Sequence, residues 1–151
     1  MRRVLTLIGD QRLAVLATRG ADGAPYTSLV AVAASGDGWN LGFCTRRATQ
    51  KFENLKAEPR VALLIDDRRG EVDNLRMATA LTVIGAAHDV NGPERVVWEH
   101  ALIDAHPSLG DFVRSPDCAL FRVEVSRHVL VSQFERVVEL IRPATPEGVV
   151  P

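Results

Sequence analysis

The chain has 151 residues, of which 46% are hydrophobic and 25% charged, and its 18 basic and 19 acidic side chains give a formal net charge of −1. A chain of this length is expected to fold as one domain with a core that needs no disulfide framework. The lack of a basic excess argues against nucleic acid and anionic membranes as partners. No run approaches the roughly 20 hydrophobic residues of a membrane span, and the two cysteines, Cys44 and Cys118, form no CxxC motif. We therefore expect a cytoplasmic protein with reduced, buried thiols.

The first half of the chain alternates hydrophobic runs with turn residues. Hydrophobic residues at positions 1, 4, 5 and 8 predict a short opening helix, which Gly9 interrupts. Residues 13–18, 26–34 and 39–45 predict three antiparallel strands, because the Gly, Asp, Ser and Pro residues between these runs favour tight turns. The hydrophobic period changes over residues 48–58, which predicts a short helix that ends before a proline. A helix is therefore expected inside a series of strands.

The second half continues the strand pattern. Residues 60–65 predict a strand, residues 66–74 a charged surface loop, and residues 77–90 a long strand. Gly85 inside the long strand indicates a β-bulge or a sharp bend, which favours a closed sheet. The remaining predictions are a helix over residues 93–106 with a small extension at 111–113, strands over 118–125 and 129–138, and a loose tail over 143–151. A helical turn over residues 133–140 is the alternative to the end of the last strand.

The start of the middle helix concentrates groups that can bind an anion. Unpaired backbone N–H groups and the helix dipole already make this end positive, so further cations there are disfavoured unless something negative is bound. Backbone donors, hydroxyls and cations at a helix N-terminus are a common way to hold a phosphate. The sequence places Thr45, Arg46, Arg47, Thr49 and Lys51 there. The alternative is a solvated arginine pair with a threonine as an ordinary N-cap, balanced by Glu53.

The remaining motifs argue against several classes of enzyme. The chain has no GxSxG turn, no Walker motif and no GxGxxG sequence, so serine hydrolases, nucleoside triphosphatases and Rossmann domains are disfavoured. His100 and Asp104 stand four residues apart on a predicted helix, but without an HExxH motif they are expected to be surface residues. His88 and His128 lie at or near predicted strands, and each is either a surface residue or a haem ligand. No metal site and no catalytic side chain are predicted.

Three segments of the chain together resemble one known family. They are LAVLATRGADGAPYTSLVAVAA, WNLGFCTRRATQKFENLKAEPRVALLID and ATALTVIGAAHDV, with a weaker similarity in CALFRVEVSRHVLV. The combination of an LAT strand, a turn with Gly and Pro, a strand ending in Thr, a short helix with Lys and NL, and PRVALL resembles the FMN-binding split-barrel superfamily. This superfamily includes pyridoxamine 5'-phosphate oxidase, and the similarity covers about residues 11–90.

The resemblance implies a fold, a cofactor and a set of binding residues. The fold would be mainly β with short helices, a six-stranded antiparallel split barrel, and the protein would be a homodimer with flavin mononucleotide (FMN) at the subunit interface. A single FMN-binding domain would extend over residues 1–142. The FMN phosphate would be held by Thr45, Arg46, Thr49, Gln50 and Lys51. The isoalloxazine ring would lie along the second strand, against backbone groups and apolar contacts of Ser28, Leu29, Val30 and Ala31.

Two departures from the family's vitamin B6 oxidases argue against oxidation of pyridoxamine 5'-phosphate. The stretch WEHALIDAHPSLGDFVRSP lacks the run with Tyr, Arg and Ser that holds the substrate phosphate, and Ala80 stands where those oxidases have a Gln beside the flavin. The leading hypothesis is an FMN-dependent oxidoreductase acting on an unidentified small molecule, with the flavin carrying the reaction. The alternatives are a non-catalytic flavin- or haem-binding module (an electron carrier, sensor or storage protein), a deazaflavin in place of FMN, and a barrel without cofactor that acts by protein interaction.

Overall fold

The computed structural model describes residues 1–68, 70, 76–133 and 135–144, and these ranges contain seven strands and four helices. In chain order the elements are α1 (Arg2–Gln11), β1 (Leu13–Arg19), β2 (Pro25–Ala34), β3 (Asn40–Arg46), α2 (Gln50–Ala57), β4 (Arg60–Asp66), β5 (Thr79–Asp89), α3 (Gly92–Ala105), a 3-10 turn (Pro107–Leu109), α4 (Gly110–Arg114), β6 (Cys118–Ser132) and β7 (Arg136–Ile141). None of these helices is long and hydrophobic enough to cross a bilayer.

The strands close into a barrel. Their order in the sheet is β3-β2-β1-β4-β5-β6-β7, and β3 also pairs with β6, so six antiparallel strands form a ring and β7 adds an extra strand outside it. This arrangement confirms the predicted split barrel with short helices. Alternate side chains fill the interior, where Leu16, Leu41, Leu63 and Leu81 are each at most 1% exposed. Burial of such side chains stabilises the barrel by about 1.5 to 3 kcal/mol each.

The predicted irregularity at Gly85 is confirmed. Gly85 pairs with Val125 and Ile84 pairs with Arg127, so Ser126 is the extra residue of a β-bulge on β6. A Cβ atom at position 85 would collide with the backbone carbonyl of Glu124, which explains why a glycine stands there. At this bulge β6 also changes partners, because its first half pairs with β3 and its second half with β7. The bend therefore closes the ring and leaves β7 as the extra strand.

The end of the chain differs from the prediction. Residues 118–125 and 129–138 are predicted as separate strands, but the structure has one continuous strand, Cys118–Ser132, because the bulge absorbs the polar residues between them. The turn comes at Gln133, which has a positive φ of 52°, and β7 follows it. The alternative of a helical turn over residues 133–140 is therefore wrong.

The other boundaries lie close to the predicted ones. The opening helix is confirmed and continues through Gly9 to Gln11, where Arg12 ends it in the left-handed region with φ 56°. The charged loop predicted over residues 66–74 begins one residue later in the structure, because β4 extends to Asp66. Residues 69 and 71–74 of this predicted loop lie outside the described residues. Of the predicted loose tail, residues 145–151 also lie outside them.

Candidate functional site

The barrel is split between β2 and β3. These strands pair only next to their connecting turn, over Val32–Ala34 and Leu41–Phe43. Farther from the turn, β2 pairs with β1 alone and β3 with β6 alone. The gap holds a surface cavity of about 330 Å³, here called the split cavity. It brings together seven of the nine predicted cofactor-binding residues, namely Leu29, Val30, Ala31, Thr45, Arg46, Thr49 and Lys51, and is completed by Cys44, Leu109 and Phe112.

The β2 wall of the split cavity presents unpaired backbone. Residues 25–31 pair with β1 along one edge, whereas no strand in the described ranges pairs with their other edge. The N–H and C=O groups that point away from β1 therefore lack strand partners, and they need water or a ligand to satisfy them. A planar molecule with its own donors and acceptors along one side can pair with such an edge as a neighbouring strand would.

Two threonines connect the end of β3 to the start of α2. Thr49 is the N-cap, and its Oγ1 accepts a hydrogen bond from the Phe52 N–H at 3.3 Å and donates one to the Arg46 carbonyl at 2.8 Å. The Thr45 and Thr49 hydroxyls lie 3.0 Å apart. The N–H groups of Gln50 and Lys51 have no acceptor within the described ranges, as expected for the first turn of a helix. The threonines thus fix two free N–H donors at the start of α2, where Lys51 lines the cavity.

The cations of the cluster differ in their partners. The Arg46 guanidinium stacks over the Phe112 ring at 5.4 Å and lies 3.9 Å from Asp117, with both charged side chains mostly exposed. Such an exposed ion pair contributes little to the stability of the fold. Lys51 is half-buried, and in the part of the chain that the structure describes it has no carboxylate oxygen within 4.0 Å, so balance by Glu53 is not seen. Arg47 pairs with Asp89 at 3.7 Å and does not line the cavity.

Two of the nine predicted residues lie beside the split cavity rather than on its surface. Ser28 pairs across β1 with Leu16, a fully buried core residue, and its Oγ is buried without a hydrogen-bond partner in the described ranges. The Gln50 Nε2 donates to Asn54 Oδ1 at 2.8 Å, and Gln50 lines a neighbouring cavity of about 430 Å³ next to the β1–β2 turn. Neither position follows from sequence spacing alone.

Sequence reasoning missed the wall formed by the 3-10 turn and α4. Leu109 and Phe112 line the split cavity from there, although both are more than 50 residues after Lys51 in the chain. The sequence indicates only a small extension at residues 111–113, which carries no signal of which face Phe112 presents. The pairing of β3 with the start of β6 brings α4 to the cavity, because α4 ends just before β6.

Both cysteines are buried and free, and Cys44 lines the split cavity. A hydrogen bond with the Cys118 thiol, together with burial, raises the pKa of Cys44. Cys44 is therefore a neutral thiol near pH 7, which makes it a poor nucleophile. The expectation of buried thiols is met, and the side chain acts as a small wall residue.

The histidines lie away from the split cavity. His128, predicted as a surface residue or a haem ligand, is fully buried, with Nε2 at 2.8 Å from the Gly38 carbonyl and its ring 5.1 Å from the Trp39 ring. Burial lowers the pKa of His128. His106 Nε2 lies 3.0 Å from the Val32 carbonyl, and neither His88 nor His100 lines the cavity. Among the described residues no three His, Cys, Asp or Glu side chains are placed to hold a metal ion.

Comparison with protein families identifies the group to which this architecture belongs. A family model described as pyridoxamine 5'-phosphate oxidase matches residues 2–138. The chain belongs to this family. The match confirms the resemblance seen in the sequence segments and extends it over β6 and the first half of β7. A search of curated proteins found no significant match.

Solved structures of similar fold carry varied names. A haem-binding protein from Mycobacterium smegmatis has a TM-score of 0.82 and 22% identity over 91% of this chain, which spans 56% of that protein. HutZ, a haem storage protein from Vibrio cholerae, has a TM-score of 0.68 and 18% identity, covering 87% of this chain and 92% of that one. A pyridoxinephosphate oxidase family protein from Clostridium acetobutylicum, related to general stress protein 26, has a TM-score of 0.66 and 14% identity, covering 90% and 89%. At these identities the likeness shows the fold.

Proposed function

We propose that this protein is a cofactor-binding module, that its cofactor is FMN, and that the split cavity is the binding site. The observation that carries the proposal is Lys51, a half-buried cation without a carboxylate partner in the described ranges, beside the unpaired N–H groups at the start of α2. A cation there opposes the helix dipole, so a bound dianion would convert an unfavourable arrangement into a favourable one. A terminal phosphate fits this chemistry.

The β2 wall suits the other end of FMN. The pyrimidine side of the isoalloxazine ring has alternating carbonyl and N–H groups, and residues 25–31 have an unpaired backbone edge that can match them. Leu29, Val30 and Ala31 add apolar contacts from the strand, and Phe112 adds them from the opposite wall. Bound FMN would supply the redox chemistry, while the protein orients it and holds its charge.

A second copy of the chain is part of the proposal. On the outside of the sheet the register places Leu29, Val15, Leu64, Thr82 and Val129 in one row across five strands, here called the outer row. All five are partly or largely exposed, and Leu29 is 65% exposed. Because a largely hydrophobic row is unfavourable in water, we expect it to pack on the same row of a partner, as in a two-fold dimer. Leu29 belongs to both the outer row and the split cavity, so the partner would help to close the site.

Turnover is a separate question from binding. No Asp, Glu, His or Tyr is among the described residues that line the split cavity, so the site offers no carboxylate, imidazole or phenol for acid–base work. An oxidoreductase acting on a small molecule would have to rely on the redox chemistry of the flavin itself. The site therefore supports the binding function more directly than it supports an enzyme.

A haem-binding module is the second candidate function. It is favoured by two structures of this fold that are named as haem-binding and haem storage proteins. In this chain none of the four histidines lines the split cavity, so an axial iron ligand would have to come from elsewhere, such as the partner subunit.

Spectroscopy and titration test both candidates. The purified protein should carry, or take up, a flavin with its characteristic visible absorption, and calorimetric titration should show tighter binding of FMN than of riboflavin. Equal affinity for the two flavins would refute the phosphate site. A Soret band after purification, or tight binding of haemin with no binding of FMN, would instead establish the haem-binding function. Oxidation of a reduced nicotinamide by the FMN-loaded protein would establish turnover.

A further inference from the structure

A chain of three hydrogen bonds, of which the middle one is buried and the other two are partly buried, joins α2 to the hairpin of β1 and β2. The Gln50 Nε2 donates to Asn54 Oδ1 at 2.8 Å, and the Asn54 Nδ2 donates to Thr18 Oγ1 at 3.0 Å. The Thr18 hydroxyl in turn lies 3.5 Å from the Tyr26 carbonyl, to which it donates. Every donor points the same way, from the helix towards β2. We call these three bonds the polar relay.

The polar relay is unusual for its position. Asn54 is 2% exposed and Thr18 is 4% exposed, and the core residue Leu55 follows Asn54 in the sequence. An apolar pair would fill this volume without the cost of desolvating an amide and a hydroxyl. The amide is therefore tolerated only because both of its ends are hydrogen-bonded, and its directional bonds fix the helix more tightly than apolar packing would.

The polar relay begins on α2 and ends on β2, and each of these two elements carries one wall of the proposed FMN site. α2 carries Lys51 and the unpaired N–H groups of its first turn, while the relay ends on the Tyr26 carbonyl, which faces β1 and belongs to the strand whose opposite edge is unpaired. A small shift of α2 along β1 would move the phosphate-binding groups relative to that edge. Since the split leaves β2 and β3 unpaired here, no strand ladder sets this distance.

We propose that Asn54 is a positioning residue for the split cavity, which it does not line, and that the polar relay sets the distance between the phosphate-binding end and the ring-binding edge. This inference rests on the proposed binding of FMN. It assigns Gln50 a place in the relay, instead of direct contact with the phosphate. Loss of the relay should weaken ligands that must reach both walls and leave ligands that use only the β2 edge almost unchanged.

The affinity ratio of FMN to riboflavin distinguishes positioning from general stability. Riboflavin has the ring but no phosphate, so a displaced α2 should lower FMN affinity while riboflavin affinity changes less than twofold. A variant that is only less stable should lower both affinities together or neither. We expect Asn54→Leu and Thr18→Val, which keep the number and branching of the side-chain heavy atoms, to lower the ratio about three- to tenfold, the range of a lost hydrogen bond.

The test compares matched variants in the full chain by calorimetric titration. Thr18→Ser keeps the hydroxyl and should retain the wild-type ratio of FMN affinity to riboflavin affinity, whereas Thr18→Val should lower this ratio. Val4→Ala, in the buried face of α1, is the control for destabilisation alone and should leave the ratio unchanged. An unchanged ratio in Thr18→Val, or an equal loss in Val4→Ala, overturns the role of the relay. A wild-type protein that does not prefer FMN overturns the proposed function itself. If Asn54→Leu does not fold, the two Thr18 variants still decide.

Discussion

Replacing Lys51 with Gln should weaken FMN binding without weakening the fold. Lys51 is half-buried at the split cavity and has no carboxylate within 4.0 Å in the described ranges, so no ion pair is lost from the apo protein. Its contact with a phosphate would be a charge-assisted hydrogen bond worth about 1.5 to 3 kcal/mol. FMN affinity should therefore fall by roughly one to two powers of ten.

The apo protein should respond in the opposite direction. A cation in the first turn opposes the helix dipole, so Lys51→Gln should leave the free energy of unfolding unchanged or raise it by up to about 1 kcal/mol. Lys56→Gln is the matched control, because Lys56 lies in the last turn of the same helix, exposed, with its Nζ 5.5 Å from the Phe52 ring. It should leave FMN affinity unchanged and lower stability by about 0.3 to 1 kcal/mol.

Calorimetric titration with FMN and denaturant unfolding of the apo variants measure the two effects separately. Opposite signs for binding and stability identify a cation directed at a ligand. Unchanged FMN affinity in Lys51→Gln would refute the phosphate site. Equal losses of affinity in Lys51→Gln and Lys56→Gln would show that only the net charge of the helix matters.

Four further predictions concern the interface, the core, the bulge and the reaction. Leu29→Glu, at a 65% exposed position of the outer row, should give a monomer with weaker FMN binding, and a dimer persisting in sedimentation equilibrium would contradict the interface. Burial lowers the pKa of His128 below its usual 6.5, so the unfolded chain binds the proton more readily. The contribution of neutral His128 to the free energy of unfolding should be complete above about pH 6.5 and should fall below that pH by up to about 1.4 kcal/mol per pH unit. Urea unfolding at about pH 7.5 and about pH 5.5 would measure this loss, and equal urea midpoints at the two pH values would refute it. Gly85→Ala should cost about 1 to 3 kcal/mol in the same assay, because the Glu124 carbonyl leaves no room for the methyl group, and a neutral effect would contradict that clash. The FMN-loaded protein should not oxidise pyridoxamine 5'-phosphate, and robust turnover would refute this.

The fold was largely predictable because its signals are local. Hydrophobic runs and turn residues mark the strands, and Gly85 marks the bend that closes the ring. The end of β6 was not predictable in the same way, because Ser126 and Arg127 look like a break in the sequence and act as a bulge in the sheet. A bulge is decided by the partner strand, which a single segment does not show.

The candidate site divides along the same line. Thr49 and Lys51 could be found because a helix start has its own chemistry, and the structure places both at the split cavity. Phe112 could not be found in this way, since it lies at the cavity only because the pairing of β3 with β6 brings α4 there. Asn54 was visible as part of an NL pair in a family-like segment, but its hydrogen bond to Thr18 spans 36 residues and has no local signature.

The unpaired edge of β2 gives a physical reason to favour FMN over haem in this chain. Both molecules carry anionic groups that Lys51 and the start of α2 could bind, so the phosphate end alone does not separate them. The ring systems separate the two molecules, because the isoalloxazine of a flavin has hydrogen-bonding groups along one side, whereas the porphyrin edge beyond its propionates is apolar. A haem packed against residues 25–31 would bury their free N–H and C=O groups without partners, at about 1 to 3 kcal/mol for each group. A flavin in the same place would satisfy them, and the absence of a cavity histidine among the described residues adds to the same preference.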